Sequence, residues 1–177
     1  PFRVFKTQHI AGTDQKLVVT GADEARRTVL EIDGEPAAEA YARLVGREVA
    51  ELTPEVFAAN PVVVRLGGQQ FVRSIQKAND DGSLTFYCAI EDGIVLSLAQ
   101  AGDLHDLLRA EFTAIEEQIG PPQLIIGCDC ILRRLEVERL GERERVGELF
   151  AKHHVVGFST YGEQINGMHV NQTFTGV

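Results

Sequence analysis

Residues 124–159 read LIIGCDCILRRLEVERLGERERVGELFAKHHVVGFS, and their grouping decides the fold. Leu124–Gly127 is a short apolar run of the kind a buried parallel strand uses. Ile131–Phe150 is helical in pattern and about half charged, with Gly141 and Gly147 as points of break or kink. Val155–Ser159 is a second apolar run. Strand, helix, strand is a crossover unit, which places its two strands parallel with a right-handed connection. Ligands gather outside the carboxyl ends of such strands. The segments that follow, Cys128–Cys130 and Thr160–His169, are therefore expected on one edge of the sheet, lining one hollow.

On the amino-terminal side, Asp103 caps an expected helix over Leu104–Ile119. Leu104, Leu108, Phe112, Ile115 and Ile119 form its apolar stripe. Gly120-Pro121-Pro122 stops it. Further upstream, Val62–Leu66, Phe71–Ala78, Leu84–Ile90 and Ile94–Ala99 are β-rich runs. They are separated by Gly67-Gly68, Asn79–Gly82 and Asp92-Gly93, strong hairpin signals. They read as an antiparallel four-stranded meander. Glu35–Val45 and a segment opened by Thr53-Pro54 read as helices. Leu17–Thr20 and Thr28–Ile32 are short strands, either the tail of an upstream domain over residues 1–35 or strands added to the main sheet. On the carboxyl side, Val170–Val177 is the last strand. The fold class is α+β (mixed α/β), a meander plus a β-α-β-α-β segment with helices packed on the sheet.

Composition narrows the partners. The 177 residues are 44% hydrophobic and 24% charged, a globular balance. With 17 basic and 26 acidic residues the net charge is −9, which disfavours nucleic acid and anionic membrane. No apolar run reaches membrane-spanning length, and no secretory leader is expected in residues 1–20. Three cysteines are too few for a disulfide framework, so a cytoplasmic location is expected.

Common catalytic signatures fail. There is no phosphate-binding loop, dinucleotide fingerprint or H-E-x-x-H helix. Gly157–Gly162 has its second glycine one position too late for a nucleophile elbow. Cys128-Asp129-Cys130 reads either as buried packing or as a thiolate ligand or redox thiol. Arg133, one turn later, suits a carboxylate. Tyr161 offers a wall and a hydroxyl. His169 lies in the amide-rich stretch 162–173, which is either a binding loop or a loop held by its own side chains.

Val155–Gln164 and Gly167–Val177 resemble the closing signature of the FIST C domain, and Cys130-x-x-Arg133 after an apolar strand matches its pattern. The resemblance covers residues 36–177, while residues 17–34, ending in Leu30–Gly34, resemble the end of the FIST N domain that usually precedes it. It implies a non-enzymatic sensory module in signal transduction that binds a small ligand such as an amino acid. Some bacterial members bind haem, sense nitric oxide, and act on histidine kinases or cyclic-di-GMP enzymes. The expected ligand-binding residues are Cys130, Arg133, Tyr161, Glu163, His169 and Asn171. Arg133 would pair an anionic group and Glu163 an amine. Were the cofactor haem, His169, His153 or Cys130 would supply the axial ligand. Two other readings stay open: a thiol-dependent enzyme or redox-responsive module using Cys130 with a lowered pKa, and an interaction module with an acidic docking face.

Overall fold

The computed structural model describes residues 1–177. A first strand, β1 (Phe5–Thr7), precedes a compact unit spanning Ile10–Gln100. That unit contains β2 (Ile10–Asp23), β3 (Thr28–Ile32), β4 (Glu35–Pro36), α1 (Ala37–Leu44), α2 (Pro54–Ala59), β5 (Val62–Leu66), β6 (Gln69–Arg73), β7 (Ile75–Ala78), β8 (Leu84–Phe86) and most of β9 (Val95–Ala101). Residue 35, the expected domain boundary, lies within this unit's sheet.

The four expected β-rich runs all form strands with antiparallel partners, but they pair out of sequence order. The sheet runs β6-β5-β9-β2-β3-β8-β7, with β4 on β3. Two features account for this. Ser74 breaks the run Phe71–Ala78 into β6 and β7, which end up at opposite ends of the path. The long β2, with Leu17 and Val19 buried, inserts between β9 and β3. Thr53 caps α2 as its sequence suggests, its hydroxyl accepting from the Val56 amide. Tyr41 is fully buried, and its hydroxyl donates to the Asn60 carbonyl at 2.7 Å.

The second unit joins residues 1–9 to residues 101–177. It contains α3 (Leu104–Ile119), β10 (Ile125–Cys130), α4 (Ile131–Arg139), α5 (Arg143–Lys152), β11 (Val155–Thr160), β12 (Glu163–Ile165), β13 (Met168–Val170) and β14 (Phe174–Gly176). Its sheet order is β1-β14-β10-β11. The crossover expected from residues 124–159 is present: β10 and β11 pair in parallel, Ile125 opposite Val155 through Cys130 opposite Thr160. The long helix is two helices, parted at Gly141, where φ is +70°, while Gly147 lies inside α5. The last expected strand is likewise two. Gln172, at φ +51°, turns the chain between β13 and β14, and β14 pairs antiparallel with both β1 and β10.

Asp103 caps α3, accepting from the Asp106 amide at 2.8 Å. The expected apolar stripe of α3 packs with Phe5, Ile125, Val137, Leu149 and Phe174 into one core. A glycine row crosses the sheet beneath this core, with Gly176 opposite Gly127 and Gly127 opposite Gly157. Aromatic rings lie close against two of the three. A Cβ on Gly127 would stand 2.4 Å from the Phe174 ring, and one on Gly176 would stand 2.7 Å from the Phe5 ring. On the opposite face of β10 and β11, Ile126, Val156 and Phe158 are exposed.

Gly127→Ala should therefore cost about 1–3 kcal/mol by overpacking. Gly147→Ala, where a Cβ meets nothing within 4 Å inside α5, should instead stabilise by about 0.5–1 kcal/mol. Urea denaturation of the two variants checks both signs.

Candidate functional site

The end of β10, the start of α4 and the turn before β14 meet within the second unit. The Cys130 amide donates to the Thr173 carbonyl at 3.1 Å. Cys128-Asp129-Cys130 is therefore not a loop: all three residues belong to β10, tied to β11 on one side and β14 on the other. Cys130 is the residue from which α4 starts. Arg133, one turn into α4, projects back toward the strand end. Its Nε donates to Asp129 Oδ1 at 2.7 Å, an i,i+4 ion pair across the strand-to-helix junction.

The Arg133 side chain has no exposed surface. Its guanidinium carbon stands 5.6 Å from the centroid of the Phe174 ring, a cation–π arrangement. Both terminal amines, Nη1 and Nη2, are buried without a hydrogen-bond partner. An arginine can donate five hydrogen bonds, and buried donors left unpaired cost roughly 1–3 kcal/mol each, more when charged. This is the least satisfied polar group of the unit.

The hairpin β12–β13 adjoins the same place. Glu163 is buried, and both its carboxylate oxygens accept hydroxyl donors: Thr160, at the end of β11, on Oε1 and Thr173 on Oε2. Thr173 is thus the link, holding Cys130 by its carbonyl and Glu163 by its hydroxyl. Burial pushes the Glu163 carboxyl above its ordinary range, and the nearby Asp129 charge adds to this against the two hydroxyls and Arg133. Burial also raises Asp129, opposed by Arg133 and by His9. Both carboxyls are thus raised by burial, and each holds a proton more readily than an exposed carboxyl does.

At the base of the same hairpin, directly after Val170 and its partner Glu163, Asn171 is fully buried. Its Nδ2 lies 3.3 Å from His169 Nε2, and its Oδ1 is buried without a partner. Both side chains pack on Gly162, where a Cβ would stand 2.2 Å from His169 Nε2. With φ at +146° as well, only glycine fits there. Tyr161, by contrast, is 81% exposed and forms no wall of this site. Of the six residues expected, Cys130, Arg133, Glu163, His169 and Asn171 are thus placed on one strand end and the adjoining hairpin, and Tyr161 stands outside.

The structure corrects the expectation of a lowered Cys130 pKa. The thiol is fully buried and raised to about 11, first by burial and then by the Glu163 charge. Arg133 is turned onto Asp129 and does not offset this. Nor do the three residues considered for iron suit haem. Cys130 is enclosed as a thiol. The His153 ring packs 4.9 Å from Phe112 with Nδ1 on Glu116 at 3.0 Å. His169 Nε2 is packed against Gly162 and Asn171.

Three participants escaped sequence reasoning. Asp129 had a usable signal in its i,i+4 spacing to Arg133. Thr173 carried none beyond its place after Asn171-Gln172. His9, whose Nε2 meets Glu136 Oε2 at 2.9 Å in the interior, is 127 positions away from its partner, and nothing local pairs them.

A model of the FIST C domain family matches residues 37–166. FIST C domains are a sensory family, which supports a signal-sensing role. No curated protein and no solved structure matches the chain. No helix is long and apolar enough to cross a membrane.

Two outcomes test this electrostatic picture. Ellman's reagent added to native protein should modify the partly exposed Cys128 first, with Cys130 and Cys88 reacting only on unfolding; peptide mapping reads the order. A carboxyl raised by folding stabilises the native state below its unfolded value of 4.5 and withdraws that stability as pH rises through the raised value. The melting temperature should therefore fall less steeply from acid to neutral pH in Glu163→Gln than in the parent. Asp129 keeps part of the slope.

Proposed function

The chain belongs to the FIST C domain family, and we propose that it is the ligand-reading part of a cytoplasmic, non-enzymatic sensor for a small zwitterion of the amino-acid type. The single observation supporting this is Arg133: a fully buried guanidinium with Nε on Asp129 and both terminal amines unpartnered. Two parallel N–H donors fit a carboxylate in bidentate fashion. Glu163, which feels the Arg133 charge, carries a raised carboxyl, and Asn171 has an unpartnered carbonyl oxygen. Both suit an ammonium. A ligand with one negative and one positive group leaves the local charge unchanged while filling every open donor and acceptor.

Buried groups need an entry path. The hairpin between Gly162 and Asn171 is the movable element, held at its base by the Glu163 hydroxyl bonds. A ligand that replaces those bonds selects a different hairpin position, and only such differential binding can carry a signal. An upstream FIST N domain would complete the sensor, and a histidine kinase or cyclic-di-GMP enzyme would read the change. Catalysis through Cys130 has no support from a thiol raised to about 11, and haem gains none from the three enclosed side chains.

The test separates binding from folding. An amino acid at about one hundred times its dissociation constant should add about 2.7 kcal/mol to stability. Arg133→Met alone leaves Asp129 buried without its partner and should lower stability. The double variant Arg133→Met, Asp129→Asn removes both charges; replacing a whole buried ion pair is often neutral or stabilising, so this variant should melt close to the parent and lose the ligand response. No amino acid shifting the parent, or an undiminished shift in the double variant, would make Arg133 a structural residue and end the proposal.

A further inference from the structure

A second candidate site lies at the edge of the same sheet, beside β11, and shares Asp129 and Phe174 with the surroundings of the Arg133 guanidinium. Beside β11 is a cleft of about 280 Å³, at the small end of ligand pockets. Its lining includes Gly127, Gly157, Asp129, Ser159, Phe150 and Phe174. The strand register explains why these converge. Gly127 stands opposite Gly157 and Asp129 opposite Ser159, and alternate residues share a face. Two polar side chains, Asp129 and Ser159, therefore share a face at the carboxyl ends of two parallel strands, and Gly157 lies so close to β10 that a Cβ there would run into the Gly127 backbone.

The glycine row makes the cleft specific. Phe5 lies against Gly176 and Phe174 against Gly127, with their ring centroids 5.7 Å apart. Phe150 stacks on Phe174 at 5.1 Å with an interplanar angle of 26°. The third glycine, Gly157, is exposed and has no ring among its nearest neighbours. The aromatic layer stops one strand short of the sheet edge, and the cleft occupies that next position.

The polar end has one sign. Arg133 Nε takes Asp129 Oδ1, while Asp129 keeps about a fifth of its side-chain surface exposed, leaving Oδ2 for another donor. Ser159 beside it is exposed. Among the cleft's lining residues there is no cation.

We propose that this cleft binds a small aromatic or amidine-type cation. The flat body lies over Gly157 as the next member of the ring layer, and the positive group donates to Asp129 Oδ2 and Ser159 Oγ. Stacking on Phe150 and Phe174 and burial of the flat face supply affinity, and the charge-assisted hydrogen bond sets the preference for cations.

Benzamidine is the probe, with benzyl alcohol and benzoate as neutral and anionic controls. In heteronuclear NMR titrations of the whole chain, benzamidine should saturate and shift the amides of Gly127, Gly157 and Ser159, and benzoate should leave them unmoved. Asp129→Asn should weaken benzamidine about tenfold or more, the loss of one charge-assisted hydrogen bond, and erase its advantage over benzyl alcohol. Ser159→Leu, at an exposed position, fills the cleft without touching Arg133 and should abolish binding in a protein that still folds. This second variant decides the matter if Asp129→Asn disturbs the fold. Equal binding of all three probes, no saturable shift, or unchanged benzamidine binding in Ser159→Leu would overturn the proposal. Asp129→Asn also removes the partner of Arg133, so the Ser159→Leu arm, which leaves that pair in place, is the one that separates failure of this proposal from failure of amino-acid binding at Arg133.

Discussion

A guanidinium taken fully out of water and given one carboxylate is an expensive object. Arg133 survives in the interior because Asp129 sits one helical turn before it and Phe174 lies within cation–π distance. That pair fixes the angle at which β10 becomes α4, since Asp129 belongs to the strand and Arg133 to the helix. It also fixes where β14 must run, because Phe174 stands opposite Asp129 in the register. Burying an ion pair is weak evidence for stability. Leaving two amines of it unpaired is a further cost, and the fold carries that cost at the one strand end where a hairpin, a buried carboxyl and a buried amide also gather.

The parts of this arrangement that a one-dimensional reading could reach were those governed by periodicity. The strand–helix–strand unit, the cap at Asp103, the cap at Thr53 and the apolar stripe of α3 each follow from residues within a turn or two of one another. They agree with the structure for that reason. The order of strands in the larger sheet was out of reach. Placing β2 between β9 and β3 depends on the burial of Leu17 and Val19 against partners dozens of residues away, and a chain of turn signals favours the nearest pairing instead. The break at Ser74 is equally non-local, since its carbonyl takes the Tyr87 amide at 3.0 Å.

The site was legible to a similar depth. The carboxyl ends of parallel strands predict where side chains converge, and that placed the cysteines near the histidine-bearing loop. What sequence could not give was direction. The alternative reading of Cys130 needs a lowered pKa, yet burial and the Glu163 charge drive the thiol the other way, and the Arg133 charge is spent on Asp129. Tyr161 reads as a wall from its place in the sequence, yet its ring faces solvent. Both errors come from assuming that neighbours in sequence share an environment, which fails at a strand end where the chain reverses.

Asp129 is shared between the Arg133 guanidinium and the cleft beside Gly157. Its Oδ1 holds Arg133, and its remaining surface borders the cleft beside Gly157. A carboxylate shared between two donors weakens its bond to each, because the charge that draws one is partly satisfied by the other. Any cation arriving beside Ser159 would therefore loosen Arg133, and any anion arriving on the Arg133 amines would draw the guanidinium away and free Asp129. Coupling of this kind is reciprocal by thermodynamic necessity. The raised carboxyl of Asp129 adds a third claimant, the proton, which competes on the same atom. One carboxylate at a strand terminus is thus shared, over a single residue, between the guanidinium, the cleft and the proton.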